Sequence, residues 1–156
     1  MTQTKQPPAN PGRFSAKLCD RALRLNPTPP GWYYYFCAGP MLFARRYQES
    51  IEFVNRGAAA GSPPNEYMLA DKAEAQAQLG QMESAAQTVA ELGKRFPEAS
   101  LERFLNTTWY FARKQDEAQA IAMIHKAGIR ICATEDELKQ FSKPVRLPEC
   151  IGKPAD

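Results

Sequence analysis

Apolar residues recur along this chain at three- and four-residue steps, the spacing that lines one face of an α-helix. Phe14, Leu18, Ala22 and Leu25 make the first such face, running up to Pro27. An aromatic-rich run from Trp32 to Phe43 follows, then Tyr47 to Ala60 with Ile51, Val54 and Ala58 on one stripe. Gly57 and Gly61 weaken the end of that segment, because glycine costs a helix backbone entropy. Asn65 to Leu79 is rich in strong helix formers, and after a break at Gly80 another helix is predicted from Glu83 to Arg95, before Pro97. Leu101 to Phe111 and Glu117 to Lys126 predict a further pair, with Gly128 at the position that favours a helix stop. Thr134 and Glu137 have the form of a capping box, predicting a short helix on to Phe141. No stretch alternates long enough to predict a strand, so the chain reads as all-α.

The prolines punctuate these segments at a near-constant interval. From Pro27 to Pro63 is 36 residues, and from Pro63 to Pro97 is 34. A recurrence of that length signals stacked helical hairpins. Laid over one another, the segments give three helix pairs behind one leading helix. Ser50, Ala85 and Ala118 fall at matching places early in the second helix of each pair. Two helices joined by a short turn can touch there only if the side chain is small. Four positions on come Val54, Val89 and Ala122, read as core positions. The expected organisation is an arm over residues 1–12, a repeat domain over 13–130, a short helix within 131–142 and a mobile tail over 143–156.

This register resembles the tetratricopeptide repeat, a 34-residue helix–turn–helix unit. Ala22 with Pro27, the run Tyr47-Gln48-Glu49-Ser50-Ile51, and Leu79-Gly80 with Ala85 and Pro97 carry the likeness over about residues 14–128. The chain departs from the pattern where Ser50 and Gly57 replace the usual alanine, where Pro40 interrupts a first helix, and where the last pair lacks its closing proline. The resemblance implies a right-handed α-solenoid of about three repeats, with a leading and a terminal helix. Residues Arg21 to Tyr35, with Lys126-Ala127-Gly128-Ile129, look like the tetratricopeptide region at the C-terminal end of some bacterial class III nucleotidyl cyclases. Similar regions follow winged-helix domains in some transcriptional regulators. That likeness implies a regulatory or partner-binding role, as a portion or remnant of such a protein. It does not imply cyclase activity, since nothing here corresponds to the cyclase domain.

Composition narrows the function classes. A chain of 156 residues, 44% hydrophobic and 24% charged, is sized and composed as one globular domain. A net charge of +3 without a basic tract gives no reason to expect nucleic acid. No window reaches the roughly 18 apolar residues of a membrane span, and the N-terminus lacks the apolar run of a secretory signal. Cys19, Cys37, Cys132 and Cys150 stand far apart with a single histidine in the chain, a poor zinc pattern. They are expected to be reduced thiols in a cytoplasmic protein.

Candidate chemistry is sparse. His125, near the end of a helix, is best explained by attraction to the helix dipole and an exposed hydrogen bond. Asp71, Glu74, Glu102, Asp116 and Glu117 read as solvated helix charges. No nucleophile motif, phosphate-binding glycine loop or metal-ligand spacing is present, so no enzyme, cofactor or metal is expected. The run Trp32-Tyr33-Tyr34-Tyr35-Phe36 covers every direction of a helix. By the repeat register Tyr34 packs inside, while Trp32 and Tyr35 line a concave face together with Tyr67, Ala70, Glu74 and Gln78. Arg103, Trp109 and Tyr110 are further candidates in the third pair. A peptide or protein partner is expected on that face, since aromatic anchors dominate such interfaces. The leading helix lacks a first-helix mate of its own, so it is expected to pack directly on the 32–43 helix, be covered by tail residues, or meet an upstream domain or a second copy, as a homo-oligomer.

Overall fold

The computed structural model describes residues 11–107 and 114–152, with side chains placed at 14–107 and 116–152. Among these residues the chain is an all-α bundle: α1 Pro11–Leu25, α2 Gly31–Phe43, α3 Tyr47–Ala59, α4 Glu66–Gln78, α5 Met82–Arg95, α6 Leu101–Thr107, α7 Lys114–Ala127 and α8 Glu135–Leu138. A 3-10 turn, Pro148–Cys150, follows. The local signals act as the sequence predicts. The Asn65 side chain caps α4 by accepting from the Met68 N–H at 3.0 Å. Thr134 and Glu137 close a full capping box, although α8 stops at Leu138, short of Phe141. Gly80 and Gly128 end α4 and α7 at φ +77°, a conformation that glycine adopts without strain.

Short turns make α2–α3 and α4–α5 antiparallel hairpins, and α3 also packs on α4. Both small residues at the tight contacts are fully buried, Ser50 and Ala85. The Ser50 hydroxyl donates to the Ala38 carbonyl at 2.9 Å, satisfying the polar group that stands where alanine was expected. Three clusters make the core. Ala16 and Cys19 of α1 join Tyr34, Cys37 and Met41 of α2 with Phe53 and Val54 of α3. Leu69, Ala70, Ala73 and Ala77 of α4 join Leu92 of α5, Leu101 and Phe104 of α6, and Ile124 of α7.

The third cluster changes the picture. Met123 of α7 packs with Leu42 of α2, Ile51 of α3 and Ala75 of α4. Helix α7 therefore lies chiefly on α4 and reaches back to the first hairpin, where a continued stack would put it beside α5. Its register differs too. Ala118 and Ala122, read as inward positions, are exposed, and Ala120, Met123, Ile124 and Ala127 face the core instead. The alanine periodicity of α7 fits two faces, and packing chose the one bearing the larger Met123 and Ile124.

Four further expectations are corrected. The cysteines are paired, Cys19 with Cys37 and Cys132 with Cys150, with Cα atoms 5.6 and 5.4 Å apart. Pairs far apart in sequence come together because α1 folds back on α2 and the C-terminal segment folds back on α6. Asp71, Glu74 and Glu102 are buried, not solvated. The stripe Phe14, Leu18, Leu25 faces outward, while α1 docks through Ala16, Cys19 and Leu23. Finally, residues 145–150 lie against the body of the fold. The Asn106 side chain bonds both the N–H and the carbonyl of Val145, at 2.6 and 3.0 Å, and Cys150 is fully buried.

Glu102 organises that end of the molecule. Its carboxylate accepts from the Ala133 N–H at 2.9 Å, the Leu147 N–H at 2.7 Å and the Arg146 guanidinium at 2.8 Å. Arg146 in turn donates to the carbonyls of Ala133 and Cys150. A buried carboxylate is tolerated when charge and hydrogen bonds are both matched, as here.

Candidate functional site

The six residues expected on a concave face do not share one open surface. Glu74 is fully buried with no hydrogen-bond partner on either oxygen. Burial pushes its carboxyl well above the usual range, and the neighbouring Asp71 adds to the effect. Gln78 is half-buried and accepts from Lys126 of α7 at 3.4 Å. Tyr67 shares a hydrogen bond with Thr107 at 2.8 Å, its ring 5.3 Å from that of Phe104. The Tyr35 ring lies over Gly57, where a Cβ would come within 2.3 Å of it, and its hydroxyl donates to the Ser62 carbonyl. Ala70 is buried, and Arg103 stands between Glu66 and Glu98 at 3.5 and 3.8 Å. Trp109 and Tyr110 lie outside the described residues.

Trp32 is different. It is 53% exposed, one turn before Phe36, which is 74% exposed and meets its ring edge-on at 5.8 Å. Helix α2 begins after Pro29-Pro30, and its first residue, Gly31, is held so closely that a Cβ there would strike the Gly57 carbonyl and Ser62 at 2.6 Å. That contact and the overlay of Tyr35 on Gly57 fix the rotation of α2 and turn Trp32 and Phe36 outward. Across the Cys19–Cys37 bond, Leu18 of α1 stands beside them, and an open groove of about 280 Å³ runs between the two helices. Its walls are Leu18, Cys19, Ala22, Trp32, Tyr33, Phe36 and Cys37. Phe14 and Leu25 extend the apolar stripe of α1 in both directions, each more than half exposed.

The charges of α1 lie mostly on its other side, where Lys17 and Arg24 line a second groove, between α1 and α3, with Asp20, Glu49, Glu52 and Arg56. The one acidic residue of α1, Asp20, is engaged by Arg46 in two hydrogen bonds at 2.7 and 2.9 Å. That guanidinium holds the Asp20 carboxyl below its ordinary range, chiefly through the hydrogen bond. The α1/α2 groove itself is apolar, with no charged side chain among its walls. His125, the remaining chemical candidate, sits 3.0 Å from Glu149 on the surface. Among the described residues no three His, Cys, Asp or Glu side chains are grouped to hold a metal ion, and no helix is long and apolar enough to cross a membrane.

Sequence reasoning missed Phe36, Leu18 and the two disulfides. A signal was present for Leu18 and for the disulfides. Helix α1 carries two apolar stripes, 14/18/25 and 16/19/23, where docking on one neighbour needs only one. The two cysteine pairs share one separation, 18 residues. Compared with known proteins, the chain matches no family model, no curated protein and no solved structure.

Proposed function

We propose that the chain is a noncatalytic helical interaction module, and that it works through the α1/α2 face, not through a concave groove. One observation carries this reading. Five large apolar side chains, Phe14, Leu18, Leu25, Trp32 and Phe36, stand exposed together on two disulfide-joined helices. Contiguous exposed apolar surface of this kind marks interaction sites, and a prebuilt surface loses little entropy on binding. Tetratricopeptide-like pairing is the reading that best accounts for the spacing of Ser50 and Ala85 in α3 and α5. A regulatory portion of a cyclase or of a winged-helix regulator remains the alternative, and it rests on the likeness at residues 21–35. The paired cysteines favour an oxidising compartment over the cytoplasm.

Photo-crosslinking tests the reading. A photoreactive residue at position 36, in the cells that make the protein, should give a discrete protein adduct that Trp32→Ala abolishes. One at the exposed Ser142 should give none. Equal adducts at both positions would refute the assignment, as would cyclic nucleotide formation by the isolated chain with ATP or GTP and a divalent metal.

A further inference from the structure

We propose that the Cys19–Cys37 disulfide is a thiol–disulfide exchange site, which a small-molecule thiol opens ahead of Cys132–Cys150, and that its opening releases α1 from the body of the fold. The inference goes beyond the module reading and holds whether or not the α1/α2 face has a partner. Both bonds close the same separation, 18 residues, so a difference between them lies in their surroundings. Residue exposure barely distinguishes them, at 9% and 3% for Cys19 and Cys37 against 8% and 0% for Cys132 and Cys150. Access distinguishes them better. Cys19 and Cys37 are both part of the wall of the open α1/α2 groove. The groove at the C-terminal end is walled by residues such as Leu138, Phe141, Arg146 and Ile151, and neither cysteine lines it.

What holds each bond shut differs as well. Among the described residues α1 has α2 as its one extensively packed neighbour. It docks through Ala16, Cys19 and Leu23, two of them small, and through the ion pair of Asp20 with Arg46. With so few apolar groups buried, α1 freed of its covalent tie separates locally at little cost. Cys150 is instead wrapped. Arg146 donates to its carbonyl and to that of Ala133, while Glu102 accepts from the Ala133 and Leu147 N–H groups. Access to that bond requires the network to open. In the exchange, the thiolate of the small molecule attacks the Cys19 sulfur, on the more exposed residue of the pair. A new S–S bond forms, the Cys19–Cys37 bond breaks, and the electron pair leaves on the Cys37 sulfur, which takes a proton from water. A second thiolate attacks the small molecule's sulfur in this mixed disulfide, and Cys19 leaves and is protonated in turn. Two small thiols are thereby oxidised to one disulfide, and the protein disulfide is reduced to two thiols.

The test exposes the full oxidised chain to reduced glutathione at neutral pH. Samples are quenched in acid, unfolded, alkylated and mapped by mass spectrometry. Cys19 and Cys37 are expected to become labelled at least about tenfold faster than Cys132 and Cys150. A glutathione adduct should appear transiently on Cys19. In the chain reduced at the first pair, hydrogen exchange should show α1 amides losing at least about tenfold in protection while those of α4 and α5 keep theirs. Asp20→Asn, which weakens the second tie of α1, should speed reduction of the first pair alone; Glu102→Gln should speed that of the second pair alone. Equal rates for the two pairs would overturn the proposal, as would earlier reduction of Cys132–Cys150 or a first-pair rate indifferent to Asp20→Asn. An α1 that keeps its protection after reduction would overturn it too, as would protection lost throughout the chain. An adduct confined to Cys37 would overturn the assigned point of attack.

Discussion

The two ends of this molecule each carry a disulfide closing the same 18-residue separation, yet they solve opposite problems. At the α1/α2 end the bond joins two regular helices, and apolar side chains are left facing outward around it. At the other end Cys132–Cys150 joins irregular chain, and the surrounding contacts are polar and inward, centred on Glu102. One end is held together with apolar side chains facing outward; the other is held together by matched polar contacts around Glu102. A covalent link of fixed span says nothing about what surface surrounds it. That is decided by whether the neighbouring groups find partners within the chain.

The sharpest way to break the comparison is at Glu102. Its replacement by alanine leaves two backbone N–H groups without their acceptor and takes from Arg146 its buried carboxylate partner, with the exposed Glu135 left as its ion pair, and should cost about 3–5 kcal/mol in urea unfolding. A loss under about 1 kcal/mol would mean that the C-terminal segment is not held by this network. Each disulfide comes next, at about 3 kcal/mol by the loop-closure argument. Because the two loops match in length, any difference between Cys19→Ser/Cys37→Ser and Cys132→Ser/Cys150→Ser measures the native surroundings and not the loop. The Cys132–Cys150 end, with its polar network, should lose more.

Gly57→Ala tests what orients the open face. A methyl group there meets the Tyr35 ring, so α2 must rotate or shift, at about 1–3 kcal/mol. A thermal melt unchanged from wild type would show that Tyr35 does not set the rotation of α2. The pair Asp71 and Glu74 supplies the contrast with Glu102, since its burial is not matched by partners. Burial lifts the Asp71 carboxyl to about 7 and Glu74 well above its ordinary value. The folded chain thus keeps protons that the unfolded chain has released. For Asp71 the stabilising effect is complete below about pH 4 and is lost as pH rises through about 7, by at most about 1.4 kcal/mol per pH unit, and Glu74 adds a decline of the same sign. Asp71→Asn should flatten this decline; a decline of unchanged slope would contradict it. The smallest effect is expected where the surface is open. Trp32→Ala and Phe36→Ala should each move stability by no more than about 0.5 kcal/mol.

Much of the fold was legible in the sequence. The helix spans, the capping box at Thr134 and the stop at Gly128 follow from local chemistry, and the structure places them within a few residues of expectation. The small residues at Ser50 and Ala85 marked true close contacts. The candidate site was less legible. Trp32 was found because an aromatic run must expose some member. Tyr35 was misplaced because periodicity cannot show that Gly57 leaves room for its ring. Glu74 was read as both groove-lining and solvated, and is neither.

What the sequence by itself determined is therefore whatever depends on neighbours three or four residues apart: helix type, helix ends and the presence of apolar stripes. Which stripe is buried, which cysteines meet and which carboxylates are enclosed was decided by tertiary structure. Helix α1 has two apolar stripes and α7 two alanine faces, so their periodicity allows either side to turn inward. Only the packing against α2 and α4 chose between them, because burial is a property of the pair of surfaces and not of either helix alone.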